Sequence, residues 1–426
     1  MRGDIALADT YHALGLHMHQ PPGNLKLLIE HEDWEARQIM LAYQRPLKYL
    51  KKFPEVARAH IGFSGVLLEQ FLDGDIVMKY KSVVDIPAML RDYANAPNME
   101  IIGMGYYHPI FPLIPSDDWD EQLARNKDIT MKVFGREPKG FWPPEMAFTM
   151  ELIPYLKRAG YEYVLVDSVH VKLLDRPGDQ CAPYKPYLAE HDGDQIAIVP
   201  RDRDISNAQE SGLEPAWFED QVEHKVADCP SPRLITTWSD GENGGWFRQT
   251  HEPSGFWGYY FAPYMDRVRN GQTQVRPVLL SEYIRQNPPT ERATVRTGAW
   301  NVGSTSGYDF SQWAGSETQR KAIDEIFRVS REYHELRAGL GDKPPTTPGA
   351  SGAAAPQVAD RKGARSSRSA IASPDETAAR LLDDAYRYVL QAETSCYLFW
   401  GDAWVNRIYE VTWHAWELLG KARQFV

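Results

Sequence analysis

Two stretches of the chain place carboxylates where the backbone and its neighbours constrain them. In Phe141-Trp-Pro-Pro-Glu145 the acid follows two prolines and an indole. The prolines stiffen its direction, and the rings lower the dielectric around it. In Trp238-Ser-Asp240-Gly-Glu242-Asn-Gly-Gly-Trp246-Phe, two more acids stand on a glycine-permissive turn hemmed by aromatics. Such surroundings raise a carboxyl pKa toward that of a general acid. One carboxylate held to attack and a second able to deliver a proton are the pair that glycosidic-bond cleavage requires. At a separation of about 5–5.5 Å the first attacks the anomeric carbon and configuration is retained, whereas a wider gap admits a water and inverts it. Taken singly, Glu145 is explained as a helix cap and Asp240 as a turn-former. That explanation weakens when both stand at ends of different strands of one barrel.

Around these acids the polar residues cluster just after short apolar runs. Strand-like segments lie near 11–17, 58–63, 99–104, 138–142, 161–166, 195–199 and 233–238, with helical patterns at 35–52, 79–95, 118–134, 149–159 and 207–225. Seven alternating units predict an α/β fold with a parallel sheet, either a barrel or an incomplete one. A doubly wound open sheet would carry a glycine-rich phosphate turn after the first strand, but that turn reads His17-Met-His-Gln-Pro-Pro-Gly. In barrels the carboxyl ends of the strands hold the chemistry. Here those ends bring His17, His19 and Gln20, then Tyr107 and His108, Glu145, Asp167, Arg201 and Asp202, and finally Asp240 and Glu242. Asp167 and Asp202 are equally well explained as caps of the following helices. His17 and His19 are not, because strand alternation aims both imidazoles at one face.

Composition narrows the partners. Aromatics are rich at 12%, with 13 Trp and 22 Tyr, and flat rings with polar edges suit sugar faces. A net charge of −11 disfavours nucleic acid and anionic membrane surfaces, and is compatible with a neutral polyhydroxylated ligand. Cys181, Cys229 and Cys396 are odd in number, widely spaced and outside any CxxC pattern, so neither a disulfide framework nor a thiolate metal site is expected. The first residues carry no apolar signal core, and no apolar run is long enough to span a bilayer. These features predict a cytoplasmic protein in a reducing compartment.

Beyond residue 280 the periodicity changes. A Gly- and Trp-bearing loop at 297–309 precedes a helix over about 315–338, and the stretch 339–374 is dominated by Pro, Gly, Ala, Ser and Arg, a composition that predicts disorder. A second helical region runs over 376–423. The expected organisation is a catalytic barrel over 1–290, a joining loop and helix over 291–338, the disordered insertion over 339–374, and a helical segment over 375–426 that completes a bundle.

These residues resemble glycoside hydrolase family 57, which includes α-amylases, 4-α-glucanotransferases, branching enzymes and α-galactosidases. His19-Gln-Pro21 looks like the family's first motif, Gly103-Met-Gly-Tyr-Tyr-His-Pro109 stands in the place of the second, and Trp142-Pro-Pro-Glu145 resembles the third. Asp240-Gly-Glu242 is similar to the fourth, and Ser395-Cys-Tyr-Leu-Phe-Trp-Gly-Asp402 falls where the fifth does. The second motif departs from the family by lacking the Glu found in many members. The resemblance implies an incomplete (β/α)7 barrel with a C-terminal helical bundle, and a retaining double displacement on an α-glucan or oligosaccharide with no metal or organic cofactor. It implies Glu145 as nucleophile and Asp240 as general acid/base. His19 would then bond sugar hydroxyls, His108 would flank the nucleophile, and Trp246, Trp400 and Asp402 would line the cleft; His17, Gln20, Trp142 and Glu242 complete the expected substrate-binding set. Hydrolysis and glycosyl transfer share the covalent intermediate and differ in whether water or a sugar hydroxyl resolves it.

Two other readings remain open at this point. His17, His19, His108 and Asp240 could hold a divalent metal, as in a polysaccharide deacetylase or a zinc-dependent mannosidase. A glucan-binding protein without turnover is the third, and the presence of both carboxylates counts against it.

Overall fold

The structure, a computed structural model, describes residues 9–210, 212–242, 250–302, 305–340 and 373–426. Seven strands form its frame: β1 (Thr10–Met18), β2 (Ala59–Phe63), β3 (Met99–Ile102), β4 (Gly140–Phe141), β5 (Tyr163–Asp167), β6 (Asp194–Arg201) and β7 (Arg233–Asp240). All are parallel, in the spatial order β7-β1-β2-β3-β4-β5-β6. The curved sheet nearly closes, since Asp202 N donates to Thr236 O at 2.8 Å between the outermost strands. The fold is therefore an incomplete (β/α)7 barrel with a helical bundle beside it.

Alternation along the strands sorts their side chains between two environments. In β1, Leu14, Leu16 and Met18 pack outward in the core formed with the surrounding helices. Ala13 lies in the inner core that the barrel shares with the bundle, and Gly15 and His17 follow it at the same period. In β7, Leu234 and Trp238 point inward and Asp240 continues that series. Trp238 is fully buried, and a Cβ at Gly15 would stand 2.0 Å from its ring, so only glycine fits opposite the indole. Because His17 and Asp240 are register partners, one alternation delivers both to the carboxyl end of the barrel.

The helices that matter to the site are α1 (Asp33–Lys52), α2 (Gly65–Leu72), α3 (Trp119–Phe134), α4 (Glu317–Gly339), α5 (Pro374–Ala392), α6 (Ser395–Phe399) and α7 (Asp402–Ala422). Helices α4, α5 and α7 form the bundle, with the short α6 linking α5 to α7. Capping boxes start two of them, at Ser316 with Gln319 and at Ser373 with Glu376. Ala322, Ile326, Val405 and Ile408 of the bundle join the same apolar cluster as Trp142, Trp238 and Leu165 of the barrel, so the two parts share one core. A buried polar seam adds to it: Asp118 accepts from Ser330 Oγ, His334 Nε2 and Tyr386 OH at 2.5–2.8 Å.

Several expectations need correction. Cys181 and Cys229 are joined by a disulfide, because the excursion between β5 and β6 folds back on the loop before β7 and brings their Cα atoms to 5.5 Å. Sequence spacing of 48 residues hid that approach, and the inference of a reducing compartment from unpaired thiols loses its basis. Strand β4 has only two residues, because Pro143 and Pro144 cannot donate to a ladder. A hairpin was missed: Tyr187–His191 runs antiparallel to β6 through Asp192-Gly193, both at positive φ, which is an Asp-Gly turn signal. The expected helix at 207–225 is two, Arg203–Gln209 and Pro215–Val226. The insertion read as disordered lies, apart from its ends, outside the described residues. Among the described residues, no helix is long and apolar enough to cross a membrane.

Candidate active site

Glu145 follows the two prolines that end β4. Its backbone is left-handed at φ 57°, as are His108 at 60° and Met146 at 50°, a conformation that costs a non-glycine residue ~1–3 kcal/mol and persists where surroundings enforce it. Trp300 enforces it here, its amide donating to Glu145 O at 3.0 Å. Glu145 as a whole is 8% exposed. Oε2 accepts from Trp300 Nε1 at 3.0 Å, and Oε1 accepts from Ser395 Oγ at 3.1 Å. Burial, with the charge of Asp240 as second cause, pushes the Glu145 carboxyl up to about 8, against the pull of the Ser395 and Trp300 hydrogen bonds.

Asp240, at the end of β7, pairs with His17 Nε2 at 2.9 Å and keeps 31% of its side chain exposed. His17 lies face to face with Trp142, with ring centroids 3.7 Å apart. Trp142 is fully buried, so it supports the His17 ring from beneath, and the expected direct contact with a sugar is not what this packing offers. His17 is also parallel to His108 at 5.6 Å, and His108 stacks on His19 at 4.0 Å. His108 Nδ1 bonds Ser395 Oγ at 2.8 Å and stands 3.8 Å from Glu145 Oε1. This imidazole stack runs from Asp240 to Glu145, so the two acids flank one ring-lined end of the barrel.

The remaining expected residues divide. His19 Nδ1 bonds Ser64 Oγ at 2.8 Å and Nε2 bonds Cys396 Sγ at 3.2 Å. Burial first, then His17, lowers the His19 pKa to about 3, and His108 is lowered well below its ordinary value by burial and both neighbouring imidazoles. Glu242 is buried and accepts from Gln20 Nε2 at 3.1 Å and from Tyr43 OH of α1. Burial, with Asp240 second, pushes its carboxyl up to about 8. Trp246 lies outside the described residues. Among the described residues, Trp400 and Asp402 make their contacts away from the carboxylates: Trp400 stands half-exposed 5.0 Å from Phe399, and Asp402 accepts from Ser316 Oγ at 2.8 Å. Asp167 and Asp202 are caps, accepting from Val169 N and Ile205 N. Asp167 has a second task, accepting from Arg203 Nε at 3.0 Å and lying 3.5 Å from Arg201 Nη1. The buried Arg201 guanidinium sits 5.5 Å over the Trp300 ring.

Sequence reasoning gave no site role to Tyr43 or Trp300, and it placed Ser395 and Cys396 in the fifth motif without a role of their own. Tyr43 reads as one more apolar position of a helix face, Trp300 sits in an irregular loop, and Ser395 and Cys396 lie about 250 residues from Glu145, a separation that no local pattern spans. Among the described residues, no group of three or more His, Cys, Asp or Glu side chains is arranged to hold a metal ion. Four of the six imidazole nitrogens are engaged, His19 with Ser64 and Cys396, His108 Nδ1 with Ser395 and His17 Nε2 with Asp240, while His17 Nδ1 and His108 Nε2 are buried without a hydrogen-bond partner among the described residues.

Known proteins share this arrangement of chain. An α-amylase of Pyrococcus abyssi is 28% identical over 326 residues, 75% of this chain and 44% of the relative. A 4-α-glucanotransferase of Thermococcus litoralis is 26% identical over 75% of this chain and 44% of its own length. This chain thus spans less than half of the curated relatives it matches. The solved structure of a GH57-type branching enzyme from Pyrococcus horikoshii superposes with a TM-score of 0.65 at 16% identity, over 97% of this chain and 88% of that one, a likeness of fold. Residues 13–296, from β1 past the end of β7 and including both candidate carboxylates, match the sequence profile of glycosyl hydrolase family 57, and the chain belongs to that family.

Proposed function

We propose that this protein is a retaining glycoside hydrolase or transglycosylase acting on α-glucans, with Glu145 as nucleophile and Asp240 as general acid/base. The observation that carries the reading is the pair of unlike carboxylates at one end of the barrel. Glu145 is buried with one neutral donor on each oxygen, and Asp240 is partly exposed beside His17. The buried acid is oriented to form a bond to carbon, and the exposed one can reach the oxygen of a leaving sugar. In the first step an oxygen of the ionised Glu145 bonds the anomeric carbon as the glycosidic C–O bond breaks, and Asp240 gives its proton to the departing oxygen. In the second, Asp240 takes a proton from water or from a sugar hydroxyl, which attacks the same carbon and releases Glu145. Burial first, and the charge of Asp240 second, raise the Glu145 and Glu242 carboxyls, so the site favours keeping a proton.

The amylase and glucanotransferase names of the relatives support α-glucan as substrate class. The test is product chromatography after incubation with amylose, glycogen, maltooligosaccharides and α-galactosides. We expect the maltooligosaccharide profile to change, and Glu145→Gln to abolish that change while glucan binding is retained. A Glu145→Gln protein as active as the wild type would end the assignment.

A further inference from the structure

We propose that Ser395 is a positioning residue for Glu145, supplied by the helical bundle, so that the nucleophile is complete only when the bundle is docked on the barrel. This inference rests on the reading of Glu145 as nucleophile given above. Ser395 is fully buried at the first position of α6. Its Oγ stands 3.1 Å from Glu145 Oε1 and 2.8 Å from His108 Nδ1, and its amide donates to His108 O at 3.1 Å. The two residues before it are fastened to the barrel as well: Thr394 bridges Pro109 in the loop that carries His108, and Glu393 accepts from Gln122 Nε2 of α3 at 2.7 Å. Ser395 therefore has no freedom to approach or leave Glu145 independently of the bundle.

The direction of the hydrogen bonds follows from the surroundings. His108 Nδ1 is 3.8 Å from Glu145, beyond hydrogen-bond reach, so its influence passes through Ser395. A neutral His108 that donates Nδ1–H to Ser395 Oγ leaves the serine proton for Glu145 Oε1. With Trp300 Nε1 on Oε2, each carboxylate oxygen then has one neutral donor from a different part of the chain. Neutral donors fix the plane of the carboxylate and favour its ionised form, yet leave it without the counter-charge that would weaken it as a nucleophile. His108 in turn is strained at φ 60° and stacked on His19, so the donor chain has a rigid origin.

The experiment measures covalent labelling of Glu145 by a ring-fluorinated α-glucosyl fluoride, followed by intact-protein mass and peptide mapping across a pH series. Fluoride leaves as the C–F bond breaks and the Glu145 O–C bond forms, so no proton from Asp240 is required and the rate reports the nucleophile alone. Ser395→Ala should label about 10- to 100-fold more slowly, the consequence of removing one hydrogen bond to a charged group. Its pH midpoint should also move upward, because the lost donor favoured the carboxylate. Ser395→Cys, close in size with a weaker donor, should fall between, and Ser395→Thr should restore much of the rate. Far-UV dichroism and thermal unfolding establish that each variant is folded. Wild-type rate and midpoint in both Ser395→Ala and Ser395→Cys would overturn the role of Ser395 and leave Glu145 as nucleophile. Wild-type protein that takes up label at another residue, or none, would overturn the nucleophile assignment itself and this inference with it.

Discussion

Replacing Glu145 by Gln should stabilise the folded protein by an amount that grows with pH. Burial raises the Glu145 carboxyl from its ordinary 4.5 to about 8 in the folded chain. Below the lower value both folded and unfolded states hold the proton, and the group contributes nothing to the pH dependence. Between the two values the unfolded chain releases the proton first and is favoured, so stability falls as pH rises; above about 8 the loss is complete. At ~1.4 kcal/mol per pH unit the full interval sets an upper limit of ~5 kcal/mol. Glutamine has nearly the same shape, can accept from Trp300 Nε1 and donate to Ser395 Oγ, and cannot ionise. With an unfolding entropy of roughly 2.1 cal/mol/K per residue, the chain has a slope of about 0.9 kcal/mol/K, so that limit is a rise in Tm of about 5 °C. The assay is differential scanning calorimetry of both proteins at about pH 5 and about pH 9, with the increment at the higher pH expected to be several degrees larger. Equal increments at both pH values, or a variant less stable than wild type at the higher one, would refute the claim that the buried carboxyl is held against its own ionisation.

Other consequences are open to simpler measurements. Asp240→Asn should lose turnover of natural α-glucans and retain much more with an activated aryl glycoside, since a good leaving group needs no proton; equal losses on both would contradict the acid/base role. Tyr43→Phe removes a donor from the buried Glu242 and should cost ~1–3 kcal/mol in thermal or denaturant unfolding, more at alkaline pH where Glu242 must ionise. Gly15→Ala places a methyl 2.0 Å from the Trp238 ring and should cost at least ~1–3 kcal/mol or prevent folding. Arg201→Met leaves the buried Asp167 with Arg203 alone and takes the cation from the Trp300 ring; a loss of ~3–5 kcal/mol with a slower labelling rate at Glu145 is expected.

Local periodicity and chain chemistry determined much of this protein. Alternation in β1 and β7 carries enough information to aim His17 and Asp240 inward, and the doubled proline before Glu145 announces a stiff acid at a strand end, because side-chain direction in a strand depends only on parity. The seven strands were legible from the same alternation, and the caps at Asp167 and Asp202 from an aspartate standing just ahead of a helical turn. What the sequence could not disclose was contact between distant segments. Ser395 and Trp300 reach Glu145 across 250 and 155 residues, Tyr43 reaches Glu242 across 199, and Cys181 meets Cys229 through a fold-back of the chain. Tyr43 and the two cysteines meet their partners through the folding of the barrel, whereas Ser395 reaches Glu145 only when the bundle closes on it. Ionisation was decided at that level as well: a carboxyl group has one value in water, and burial beside a second acid moves it, which is a property of the assembled barrel end alone.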